Sequence, residues 1–114
     1  MGASAALMHC DQASLTLAFT PQVDIAAYAA VTRADLSRCR RAALQTRVLA
    51  AIDRARGPVL VHYGEHCPED VAQVARLPEH CQKVAHDFDD HVLSIHLKAR
   101  GELLGIVNEA LARA

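Results

Sequence analysis

The run Val59-Leu60-Val61-His62-Tyr63 constrains the fold more than any other segment. It follows Gly57-Pro58, a pair that stops a helix, and it is apolar on both faces. Such a strand needs cover on both sides, as a central strand of a parallel sheet has. Before it, residues 33–56 carry Leu44, Val48, Ala51, Ile52 and Ala55 on one helical stripe. Residues 14–20 alternate, with Leu15, Leu17 and Phe19 on one face, and read as a half-buried strand.

Thr20-Pro21 predicts a helix start, with Thr20 as cap and Ile25, Ala26, Ala29 and Ala30 forming a small-residue face. Pro68 predicts another, with Glu69 and Asp70 in its first turn and Val71, Val74 and Ala75 inward. A helix from Glu79 is expected to place Cys81, Val84, Ala85 and Phe88 on one stripe. Residues 92–98 set Leu93, Ile95 and Leu97 against Ser94, His96 and Lys98, and read as a third strand. After Gly101 a last helix carries Leu103, Leu104, Val107, Ala110 and Leu111.

The predicted fold is a single small α/β domain over 11–114, a three-stranded parallel sheet flanked by helices. Residues 1–10 are expected to be a loose N-terminus. A mostly α-helical bundle is the alternative if the outer strands fail. The expected core is Leu17, Phe19, Leu44, Val48, Ile52, Val59, Val61, Phe88, Ile95, Val107 and Leu111.

A chain of 114 residues holds one core. Its net charge of −1 argues against a disordered charged tail and a nucleic-acid binder, which would need a basic excess. Two Tyr, two Phe and no Trp make no platform for stacking bases. No stretch reaches the roughly 18 apolar residues of a membrane span. With no basic segment at the start and four Cys, the composition predicts free thiols in a reducing cytoplasm. The Ala and Arg content suits a bacterial genome of high GC content. Charge is uneven, since residues 33–56 are basic and residues 65–90 acidic, and the bland reading is two solvated faces that neutralise each other.

Chemistry concentrates in His and Cys. His9-Cys10, His66-Cys67 and His80-Cys81 are adjacent pairs, two of them preceded by Glu. Imidazole and thiolate are preferred zinc ligands, so His62, His66, Cys67, His80 and Cys81 are the predicted metal set, with zinc as the expected ion. The structural counter-reading is that Cys81 shares a stripe with Val84 and Phe88 and is a core residue. Cys39, among Arg38, Arg40 and Arg41, reads as a partly exposed residue of a basic helix.

Cys67 also supports a second reading, thiol chemistry at the start of a helix where the thiolate is favoured. Residues 57–67 locally resemble the strand-to-cysteine entry of thioredoxin-like proteins and the approach to the cysteine of cysteine phosphatases. Asp70 stands where a thioredoxin would carry its second Cys, and no Arg occurs between Cys67 and Arg76, so no activity follows from the resemblance. The expected function is that of a small cytoplasmic, non-enzymatic binding or accessory protein. It would act through a protein partner or as a homodimer, with a His/Cys transition-metal site. A thiol-dependent enzyme or redox protein using Cys67 is the alternative.

Overall fold

The computed structural model describes residues 2–25 and 37–114. In chain order these form α1 (Gly2–Met8), a short 3-10 turn (Cys10–Gln12), β1 (Thr16–Phe19), α2 (Arg38–Asp53) and β2 (Val59–Gly64). They continue with α3 (Pro68–Val74), β3 (Gln82–His86), α4 (Leu93–Ala99) and α5 (Leu103–Leu111). The strands make one sheet in the order β1-β2-β3, parallel throughout. Thr16 lies opposite Val59 and Phe19 opposite His62, while Leu60 faces Gln82 and Gly64 faces His86. The α/β class and the parallel sheet are as expected. β2 is central and buried along its length except for half-buried Tyr63.

The main core lies on the sheet face that carries Ala18, Val59 and Val61, where Leu7, Val48 and Ile52 are fully buried. α2 starts at Ser37, whose hydroxyl accepts the Arg40 N–H at 3.2 Å, satisfying one donor that the first turn would leave free. The expected helix at 33–56 is therefore present over Arg38–Asp53, its residues 33–36 lying outside the described residues.

Several elements differ from the sequence reading, each for a local reason. Residues 1–10 are not loose: α1 buries Ser4 and Leu7 completely, and Cys10 follows it into the core. Residues 21–25 are not helical, because their backbone donors are taken by side chains from other elements. Gln22 N–H donates to Ser4 Oγ, Val23 and Asp24 N–H to Gln73 Oε1, and Ile25 N–H to Gln45 Oε1. The rest of that expected helix, with Ala26, Ala29 and Ala30, lies outside the described residues. Thr20 takes a positive φ of 47° instead of capping a helix, and its N–H extends the sheet ladder to the His62 carbonyl.

The third strand is Gln82–His86 and not 92–98, which forms α4. Leu93 and Leu97 are buried at i and i+4 while Ile95 is 66% exposed, so the apolar spacing is that of a helix. β3 is an edge strand, exposed over Gln82–Ala85, and its polar sequence is held extended by backbone pairing with β2. In β1 the fully buried face carries Thr16 and Ala18, whereas Leu17 and Phe19 are half-buried on the opposite face. In α3 it is Asp70, not Val71 or Ala75, that turns inward beside Val74. Of the expected core, Val48, Ile52, Val59 and Val61 are buried, but Leu111 is 61% exposed.

Candidate functional site

Parallel strands carry their ligand-binding residues beyond their C-terminal ends. At that edge the loops after β1, β2 and β3 meet and are pinned by backbone bonds. Glu65 N–H donates to His86 O and His66 N–H to Phe88 O. Gly64 permits this approach, since a Cβ there would lie 2.6 Å from the Phe88 carbonyl oxygen.

A chain of polar side chains runs through the edge. Ser4 Oγ donates to Gln22 O at 2.9 Å. Gln22 Nε2 donates to Thr20 O at 3.1 Å and lies 3.0 Å from His91 Nε2. An amide nitrogen can only donate, so His91 Nε2 accepts and its Nδ1 carries the proton that is given to Asp70 Oδ1, 2.7 Å away. Asp70 is 2% exposed, and its Oδ2 accepts no N–H or O–H among the described residues. Both ring nitrogens of His91 are thus engaged, which makes the Asp70–His91 pair a tie between α3 and the loop after β3. Gln22, Asp70 and His91 are not among the site residues expected from the sequence, where Asp70 after Glu69 reads as an ordinary acid of a first helical turn.

Cys67 caps α3 and is buried beside this network. Burial pushes its thiol above the usual value, the Asp70 carboxylate adds to the effect, and backbone N–H groups at the helix start only partly oppose it. The thiol therefore stays protonated at neutral pH, without the activation that a nucleophile needs.

The five predicted metal ligands do not converge. His66 and Cys67 follow β2, whereas His80 and Cys81 precede β3, and in a parallel pair these are opposite ends of the sheet. Five residues of strand separate them by about 16 Å. His80 Nε2 donates to Ile52 O at 3.0 Å, and Cys81 is buried in the core, where burial and then Cys10 push its thiol up. His62 lies on the sheet face away from the main core, its Nδ1 2.8 Å from His86 Nε2 and its ring 5.1 Å from Phe19. Burial pushes the His62 imidazole down to about 4, with His86 adding to the shift, and it lowers His86 as well. Both rings are neutral at physiological pH.

Of the five, His66 alone enters a set with metal-ligand geometry among the described residues. Its Nε2 lies 2.9 Å from Asp87 Oδ1 and 3.6 Å from Glu65 Oε1, and the three residues are exposed. The partners are carboxylates and not thiolates. Glu65 is adjacent in sequence, but Asp87 arrives only through the true position of β3.

A separate feature is α5. Ile106 and Ala110 turn towards the sheet face that carries Leu60 and His62. Leu104, Val107 and Leu111 lie on the other side of the helix, Leu104 70% and Leu111 61% exposed. Ile95 of α4 is exposed as well, and a groove between α4 and α5 is lined by Lys98, Leu103, Leu104 and Val107. Among the described residues no helix is long and apolar enough to cross a membrane. No family model, curated protein or solved structure matches this chain.

Proposed function

We propose that the protein is a non-enzymatic interaction module of the cytoplasm that pairs with a second copy of itself through α5. The observation that carries this reading is that α5 is apolar on two sides and buries only one, with Leu104 and Leu111 open to solvent. The apolar arc of α5 is wider than the sheet covers, and a partner supplies cover for the remainder. The occupant is a second copy because the stripe is self-complementary. Leu104, Val107 and Leu111 read nearly the same from either end, so antiparallel pairing about a two-fold axis sets Leu104 against Leu111. Asn108 beside the stripe carries no charge, and Lys98 is the charged side chain in the groove that Leu104 and Val107 line. The free state of all four cysteines agrees with a reducing compartment.

Sedimentation equilibrium over a wide concentration range tests this. The wild-type chain is expected to dimerise, and Leu104→Glu or Leu111→Glu to weaken the dimer at least about 100-fold, since each buried leucine contributes about 1.5–3 kcal/mol and appears twice. Both positions are exposed, so the variants should keep the wild-type circular dichroism. A wild-type monomer at every concentration, or a dimer indifferent to both changes, rejects the proposal.

The Glu65–His66–Asp87 group favours a second reading, binding of a divalent cation. One imidazole and two carboxylates suit a borderline ion such as Zn²⁺ or Mn²⁺ better than a thiolate zinc centre. Calorimetric titration with each ion should give one site per chain, and Asp87→Asn should weaken it at least about ten-fold. Absence of saturable heat with either ion rules the reading out.

A further inference from the structure

Between α5 and the second face of the sheet lies a cavity of about 230 Å³. Leu60 and Val84 form its floor, Ile106 and Ala110 its roof, and His62, Glu109 and Arg113 are its polar members. Apolar walls with a few convergent polar groups are the ordinary makeup of a small-molecule site.

Two of the polar members have unused donor capacity. His62 is 6% exposed, its Nδ1 is paired with His86, and its Nε2 has no hydrogen-bond partner among the described residues. This ring borders the cavity, where its Nε2 can meet a ligand. Arg113 gives one hydrogen bond, from Nη1 to Gln82 Oε1 at 2.9 Å. Its Nη2 forms an ion pair with Glu109 Oε1 at 3.6 Å, too long for a hydrogen bond, on the exposed side of α5. A neutral imidazole N–H and a guanidinium between aliphatic walls form a receptor for one carboxylate on a short apolar body.

We propose that this cavity binds a small aliphatic monocarboxylic acid, its carboxylate held by Arg113 and His62 and its hydrocarbon part by Leu60, Val84, Ile106 and Ala110. The bound anion fixes the tautomers. His62 carries its proton on Nε2, facing the ligand, and its Nδ1 accepts the Nε2 proton of His86. Glu109, on the rim with its side chain 75% exposed, disfavours a second negative charge, which restricts the ligand to a monoacid. The site uses the sheet-facing side of α5 and is independent of pairing through Leu104 and Leu111.

The probe is 3-methylbutanoate, titrated into ¹⁵N-labelled protein, with 3-methylbutanamide and 3-methylbutylamine as isosteres. The acid is expected to give saturable amide shifts centred on residues 60, 84, 106 and 110, and to move the ring-nitrogen resonances of His62. Arg113→Gln should weaken binding at least about ten-fold, the loss of a charge-assisted bond. Glu109→Gln should tighten it. Both side chains are substantially exposed, so neither variant depends on refolding the core. The proposal is overturned if the acid does not saturate, if the amide or the amine binds as well, or if Arg113→Gln leaves the affinity unchanged.

Discussion

Gly57→Ala is expected to destabilise the fold by about 3 kcal/mol, the upper range for forcing atoms into a packed site. A Cβ at Gly57 would lie 2.0 Å from the carbonyl oxygen of Ser14 and 2.4 Å from its carbonyl carbon. Both are backbone atoms and cannot rotate away. Relief requires the chain at 14–15 to separate from the chain at 57–58, yet Thr16 N–H donates to Pro58 O at 2.9 Å there and opens the β1–β2 pairing. The substitution therefore acts on the first rung of the sheet as well as on packing. Gly105→Ala is the matched control. It lies inside α5 with nothing within 4 Å of the added methyl, and should stabilise by about 0.5–1 kcal/mol through helix propensity. Urea midpoints at fixed protein concentration read both. An unchanged midpoint for Gly57→Ala would mean that Ser14 and Gly57 do not approach as described, and the β1–β2 register would fall with it.

The central strand was legible because burial on both faces leaves a run with no polar face, and Gly57-Pro58 sets its start. The position of β3 was not legible. Gln82-Lys83-Val84-Ala85-His86 carries neither an apolar alternation nor a β-branched run, and it is extended because β2 offers it backbone partners, which is a tertiary cause. Residues 92–98 misled for the complementary reason. Leu93 and Leu97 satisfy both an alternating and an i, i+4 pattern, and only Ile95 separates the two, by being exposed. This one exchange of helix and strand also dispersed the predicted metal set. With residues 79–90 taken as a helix, His80 and Cys81 could stand near Cys67; with β3 at Gln82–His86 they belong to the opposite end of the sheet. The same shift brought Asp87 to His66 and His86 to His62, contacts that no spacing rule contains. Asp70 was hidden by convention, because an acid in the first turn of a helix is ordinarily read as favouring the helix dipole at the surface.

Acidification from neutral pH is expected to destabilise the protein by about 3 kcal/mol through His62 alone, from the size of its shift. The ring has an ordinary pKa of 6.5 in the unfolded chain and about 4 in the fold, where burial and the neighbouring His86 oppose its charge and Glu109 offsets only part of that. Between those values the unfolded chain holds more protons than the folded one, so stability falls as pH falls. The contribution is complete above about pH 6.5 and is lost progressively towards pH 4. His86 is lowered for the same reason and acts in the same direction, with Glu102 opposing and His96 reinforcing the shift. Once both rings are protonated neither nitrogen of the 2.8 Å contact can accept, and a charge on His62 lies beneath Ile106 and Ala110 of α5. Denaturant titrations at several pH values measure the slope. His62→Gln, which keeps a polar side chain but cannot titrate, should flatten it over the upper part of the window, leaving the smaller slope due to His86. If the wild-type chain and His62→Gln lose stability in parallel between neutral pH and about pH 4.5, His62 is not held neutral by the fold.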